Sequence, residues 1–383
     1  MSDSRRQRTT SRNRHTILER RDFLRALGMT AGGLALTASA PAVSAVIRSA
    51  SSASAIDAVF DQSIVFDALA MGDQWSDPAP LFRAYRQSGI TAIHASLNTG
   101  GFQVAMAELA AWQGRFDRWP EQLLKIVRGS QLAEAKASGR LGVLLGFQNA
   151  TIIETDVRNL EVLYAAGARC IQLTYNARNL LGDGCTERTD AGLSDFGVAV
   201  VERMNELGMV VDLSHCGETT SRDGIAMSRR PPVFTHTMCK SVHDHVRAKP
   251  DELLTALADK GGVIGIVTLG YFIGPTANTT LDDYLRHIDH AVNVAGIEHV
   301  ALASDYSIFG IEATSTRESW YLSRQKIFKP EYNVRWPPWI AELDRPERFR
   351  NIAHGLHKRG YPAAHIEKIL GGNWTRYLTD VLG

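Results

Sequence analysis

Residues 209–217 read MVVDLSHCG, an apolar run broken by Asp212 and ending on Ser214-His215-Cys216. Its front has the near-continuous apolar character of a strand buried on both faces. A lone histidine at such a place is more often a hydrogen-bonded core residue than a ligand, so the reading turns on whether other strands end alike. Seven further runs share the character: SIVFDAL (63–69), ITAIHAS (90–96), LGVLLGF (141–147), ARCIQLT (168–174), PVFTH (232–236), GVIGIVT (262–268) and HVALAS (299–304). Helical patterns such as DFGVAVVERMNELG (195–208) and LDDYLRHIDHAVNVAG (281–296) lie between them. Eight strands alternating with helices predict a (β/α)8 TIM barrel. A doubly wound open sheet is the alternative, but no dinucleotide glycine fingerprint follows the first strand.

In such a barrel the chemistry sits where the strands end. The ends supply Gln148, Tyr175-Asn176, His215, His236 and Asp305. Two imidazoles and a carboxylate from three separate strands suit a borderline divalent cation, Zn²⁺ above all. His215 therefore reads as a ligand. His94, inside its strand, reads as a hydrogen-bonded core residue, and His243 and His245 as loop or rim contacts. His287 and His290 read as surface or packing residues, and Asp67 is left open between the barrel mouth and a buried ion pair.

The chain has 383 residues, 44% of them hydrophobic and 22% charged, with a formal net charge of +1. That suits a folded domain with a substantial core and offers no global basic field for nucleic acid. The charge is unevenly spread. Residues 1–25 hold eight arginines against three acids, and residues 26–45 hold no charge, which leaves 34 basic and 38 acidic residues in the remainder. Arg20-Arg21 stands two residues before Phe23-Leu24, and a mildly apolar Gly/Ala stretch ends in small residues near Ala40 or Ala45. Residues 1–45 are thus expected to be a cleaved twin-arginine export signal, with the twin-arginine translocase as partner and a periplasmic or secreted product. A basic arm or a retained anchor is the alternative. Residues 46–383 form the expected catalytic barrel. Cysteines 170, 185, 216 and 239 are too few for a disulfide-built scaffold.

With these residues in place, the chain resembles the membrane (renal) dipeptidase family of amidohydrolase-like metallohydrolases. The stretch CIQLTYNARNLLGDGCTERTDAGLSDFGVAVVERMNELGMVVDLSH carries the likeness. PVFTHT, HVRAKPDELL, GGVIGI, ALASDY and ILGGNWTRYL follow in order. The resemblance implies a two-zinc barrel that cleaves dipeptides with a metal-activated water. It maps two metal-binding histidines to His215 and His236, a ligand and proton acceptor to Asp305, and a clamp for the substrate carboxylate to Arg247. The departures cluster on the first metal. The family pattern Asp-Gly-His-Asn-Asp is here Asp67-Ala68-Leu69-Ala70-Met71, the bridging Glu is Gln148, and the oxyanion-steadying His is Tyr175. The Asp two places after the metal-binding one is Ser307. The combination is similar to that of a bacterial branch of the family.

The expected function is hydrolysis of a dipeptide or small N-acyl amino acid at a single zinc. His215, His236 and Asp305 would hold the metal, with Gln148 or water completing the set. Asp305 and Tyr175 would be catalytic, and Arg247, Tyr175 and Asn176 would bind substrate. A catalytically degenerate homologue that binds or helps mature a small exported peptide or metabolite is the alternative. Long segments near 96–120 and 306–342 are expected as mouth loops. The second, with Trp320, Trp336 and Trp339, is expected as a lid or as the interface of a homodimer.

Overall fold

The computed structural model describes residues 55–383. The expected export signal, residues 1–45, lies outside the described residues.

Nine strands are present among those residues: β1 (Phe66–Ala70), β2 (Ala92–Leu97), β3 (Leu123–Lys125), β4 (Leu141–Phe147), β5 (Ala168–Gln172), β6 (Val210–Asp212), β7 (Phe234–Thr237), β8 (Ile264–Val267) and β9 (Val300–Ala303). All pairings between them are parallel. One run of the sheet is β1-β2-β4-β5-β6 and the other is β7-β8-β9. Two seams close the ring. Asp212 bridges Val233, and the Asp305 N–H donates to Leu69 O at 2.8 Å, tying the end of β9 to β1. The eight expected strands are thus the staves of a (β/α)8 barrel. The short β3 is an addition that pairs with the first residues of β4, Leu141 to Val143, while β5 takes up its later ones.

The barrel strands are buried on both faces, as their unbroken apolar runs require. Phe66, Ala68, Ala92, Leu144, Cys170 and Val210 pack with others into an inner cluster, closed by Trp374 and Tyr377 of the last helix, Asn373–Leu382. The Trp374 ring lies 5.0 Å from that of Phe66. Small residues make room for the polar layer above. A Cβ on Gly146 would stand 2.2 Å from His94 Nε2.

Residues 96–120 are not a mouth loop. They form the helix Phe102–Arg118, whose Ala105, Leu109, Trp112 and Phe116 recur at helical spacing and are buried. The segment 306–342 does remain largely irregular. It holds a helical turn, Glu318–Leu322, running into the short helix Ser323–Ile327, and a single turn at Pro330–Tyr332. Trp320 is buried, and Trp336 and Trp339 are half-buried. Trp320 meets Tyr271 edge-on at 5.8 Å, and Trp336 meets Trp339 at 5.0 Å. No helix among the described residues is long and apolar enough to cross a membrane.

Candidate metal centre and active site

β6 ends at Asp212 and β7 begins at Phe234, so their register sets two hydroxyl-histidine pairs side by side: Ser214-His215 and Thr235-His236. The Asp212 side chain, 1% exposed, joins them. Its Oδ1 accepts from the Ser214 N–H at 3.0 Å, the Ser214 hydroxyl at 2.6 Å and the Thr235 N–H at 3.1 Å. Its Oδ2 accepts from the Thr235 hydroxyl at 2.6 Å. Each hydroxyl has one proton, and Asp212 receives both. Thr235 Oγ1 can then only accept from His236 Nδ1, 2.8 Å away, which fixes the proton of that imidazole on Nδ1. The same holds for His215, whose Nδ1–H donates to Asn176 Oδ1 at 2.6 Å.

Both imidazoles therefore present a bare Nε2, and the two Nε2 atoms face each other across 2.9 Å. Lone pairs so close repel unless a proton or a metal cation lies between them. A proton is disfavoured. Burial first, and then the charge of Arg247, hold both histidines well below the usual imidazole range. The donor chemistry fits a metal: two neutral imidazoles, each held through its other nitrogen by a hydrogen-bonded partner.

Asp305 and Gln148 do not join this pair as a ready cluster. Among the described residues, no three His, Cys, Asp or Glu side chains come together as a metal-binding set. Asp305 sits in the left-handed backbone region, φ 67°, at the end of β9. Its carboxyl accepts no hydrogen bond from the described residues, and burial, opposed by Arg247 and Arg324, raises its pKa to about 7. Gln148 turns its amide nitrogen to Ser96 Oγ at 3.0 Å and to Met71 Sδ at 3.9 Å. With Leu69 and Met71 it makes an uncharged arc on the β1–β4 side of the rim.

Tyr175 stacks on His215, ring centroids 4.2 Å apart. Burial, reinforced by Asp305, pushes its phenol up to about 12, so it remains a hydrogen-bond donor. Two residues expected to bind substrate have other duties. Asn176 is 8% exposed and its side-chain oxygen is committed to His215. Arg247 is fully buried rather than open to the mouth. It donates to the carbonyl oxygens of Ser214 and, at 2.9 Å, of His236, pinning both histidine-bearing turns, while its Nε has no partner among the described residues. His245 accepts from the Arg247 N–H and donates to Tyr332 O at 2.9 Å. His94 is a core residue, its Nδ1–H on Ala68 O at 2.9 Å. His287 is likewise buried and bonded, and His290 pairs with Asp251. All four cysteines are free. Asp67 proves to be a seam residue, accepting from the Ser304 N–H and hydroxyl. The orienting trio Asp212, Ser214 and Thr235 escapes the reading of strand ends. Its trace in the sequence is that each histidine follows a hydroxyl residue.

Residues 89–317 match the membrane dipeptidase family, peptidase family M19. The chain belongs to that family. It is 34% identical over 269 residues to dipeptidase verJ of Clonostachys rogersoniana, spanning 69% of this chain and 62% of that protein. It is 33% identical over 181 residues to an uncharacterized dipeptidase of Schizosaccharomyces pombe, spanning 46% and 44%. Less than two thirds of either curated relative is thus covered. Among solved structures, an amidohydrolase from Pseudomonas aeruginosa superposes with a TM-score of 0.77 at 30% identity, over 86% of this chain and 99% of that one. A metallopeptidase from Rhodobacter sphaeroides, liganded with a phosphinate mimic of the dipeptide L-Ala-D-Ala, shares the fold at 17% identity, with a TM-score of 0.66 over 84% of this chain and 100% of that one.

Proposed function

We propose that this M19 protein is a dipeptidase-like hydrolase that works with one zinc ion, cleaving a dipeptide or a small N-acyl amino acid. The observation that carries the reading is the facing pair of bare Nε2 atoms on His215 and His236, each imidazole locked by its own partner. These two would hold the cation with Asp305 completing the set. When bound, it would polarise the scissile carbonyl and make water a nucleophile near neutral pH. The Asp305 carboxyl, which accepts no hydrogen bond from the described residues, would take the proton that the attacking water loses and return it to the leaving amine. The Tyr175 hydroxyl donates to the carbonyl oxygen as charge builds there. Asn176 and the Asp212 network hold the imidazoles in place. The uncharged arc of Leu69, Met71 and Gln148 supports one cation rather than two, because a neutral amide and a thioether cannot balance a second divalent charge.

We further propose export through the twin-arginine translocase to the periplasm. Replacing Arg20 and Arg21 by lysine should keep the protein in the cytoplasm, and unchanged fractionation would overturn this.

The function is tested by elemental analysis of protein purified without chelator, with a dipeptide panel assayed alongside. About one zinc per chain, lost together with activity in the His215→Ala/His236→Ala double variant, is the expected result. Two per chain would overturn the single site. None, even with zinc supplied, would favour the degenerate binding protein, the reading that the missing charged ligands also fit.

A further inference from the structure

Asp305, at φ 67°, stands in backbone that a non-glycine residue keeps only where its surroundings over-determine it. Its own N–H is held by Leu69 O at 2.8 Å, and just before it the Ser304 N–H donates to Asp67 Oδ1, also at 2.8 Å. The far side of the turn is held from the same strand end. Asp73, half-buried and three residues beyond β1, accepts on Oδ1 from the Ser307 hydroxyl at 2.7 Å and from the Ile308 N–H at 3.1 Å. Its other oxygen accepts from the hydroxyl of Tyr85, a buried residue of the helix Pro78–Ser88. The matching acceptors go to Arg348, which is fully buried. Its Nη2 donates to the carbonyl oxygens of Ser307 and Ile308, each at 2.8 Å.

The chain after Asp305 is therefore held by both its donors and its acceptors, while the Asp305 carboxyl accepts nothing from the described residues. That is unusual for an aspartate in left-handed backbone. Such a residue is normally tolerated there because its short side chain bonds locally, taking N–H or O–H donors two or three residues ahead. Here the donors at those two places are the Ser307 hydroxyl and the Ile308 N–H, and Asp73 has both.

We propose that Asp73 and Ser307 are positioning residues for Asp305: by engaging the donors that follow it, Asp73 keeps the Asp305 carboxyl from folding back on its own turn and leaves it free to meet the cation. The inference rests on the hydrolase reading above for what the carboxyl meets, but not for the hold on the turn.

The test compares the wild-type protein with Asp73→Ala and Asp73→Asn, reading amide hydrogen exchange by NMR and zinc affinity by calorimetry. In Asp73→Ala the Asp305 N–H should exchange about tenfold faster or more, because the turn rearranges and its bond to Leu69 O loosens. The Leu173 N–H, bonded to Asp212 O on the other side of the rim, should stay within about twofold. Zinc Kd should rise about 10- to 100-fold. Asp73→Asn keeps an oxygen for Ser307 and Ile308, so both readings should return to within about threefold of wild type. Unchanged exchange at Asp305, equal acceleration at Leu173, unchanged zinc affinity, or an asparagine variant as impaired as the alanine one would each overturn the proposal. If Asp73→Ala does not fold, Ser307→Ala, which removes one of the two donors, should shift both readings the same way by about threefold, and no shift overturns it. If the wild type takes up no zinc, the hydrolase reading fails and the exchange readings alone decide this one.

Discussion

Two arcs of one rim are built from opposite chemistry. On the β6–β7 side, a buried carboxylate takes four hydrogen bonds and, through two hydroxyls and an asparagine, leaves two imidazoles with bare nitrogens facing each other. On the β1–β4 side, Gln148, Ser96 and Met71 satisfy one another without a charge, and Leu69 is fully buried. The barrel scaffold is the same under both, so the difference lies in the side chains placed at the strand ends. A ligand arc needs a second layer that dictates tautomers, and a neutral arc needs only packing and one amide bond. The contrast teaches that one half of a rim can be built without charged side chains while the other half keeps its hydrogen-bonded network, because Asp212 draws its partners only from β7 and the turn between β6 and the next helix.

The largest effect expected on this contrast comes from the ligand arc. Removing both imidazoles, His215→Ala with His236→Ala, should abolish tight metal binding and lower peptidase activity on the order of a thousandfold or more, as read by elemental analysis and turnover. Retained metal would move the site elsewhere on the rim.

Asp212→Asn should come next. The new amide would place a donor opposite the Thr235 hydroxyl, which must then turn its proton to His236 Nδ1 and force the other tautomer. Metal affinity should fall about 10- to 100-fold, and nitrogen NMR of the histidines should show His236 carrying its proton on Nε2. An unchanged spectrum would break the orienting account.

On the neutral side, Asp67 lies in β1, where burial raises its pKa to about 6 despite the Ser304 donors. A carboxyl whose folded-state pKa is raised binds its proton more tightly in the folded state. Its contribution therefore favours folding at low pH and is lost as pH rises from about 4 to about 6, at a cost of roughly 2–3 kcal/mol above that window. Asp67→Asn can keep the accepted N–H bonds while Ser304 Oγ turns to Leu69 O, already 3.1 Å away. It should flatten this decline in urea titrations across pH 4–7. A decline of unchanged slope would assign it to other groups.

The smallest effect is expected from Gln148→Glu, which puts one carboxylate back into the neutral arc. With only Ser96 and a thioether nearby, it should destabilise by about 1–2 kcal/mol and leave metal content unchanged. A second metal taken up by this variant would show that a single charge is what the arc lacks.

The barrel was legible because strands buried on both faces leave unbroken apolar runs, and eight such runs leave few other ways to close a sheet. The rim residues followed from where those runs stop. The helix Phe102–Arg118 had its spacing in plain view, yet its glycine-rich approach, Asn98-Thr99-Gly100-Gly101, invites reading the whole stretch as a loop. The short β3 carries too few residues for any period to show. Asn176 and Arg247 were legible as rim residues but not in their duties, since both act on backbone or imidazole atoms supplied by other strands.

The sequence by itself determined the alternation of strands and helices, the two histidines and the aspartate at strand ends, and the uncharged residue types at Leu69, Met71 and Gln148. Those are properties of residue type and local spacing. The tertiary structure decided which nitrogen of each histidine is bare, and that Arg247 is buried under carbonyl oxygens. Each depends on a hydrogen bond or a charge acting between elements remote in sequence, and their geometry exists only once the barrel has closed and set the register between neighbouring strands.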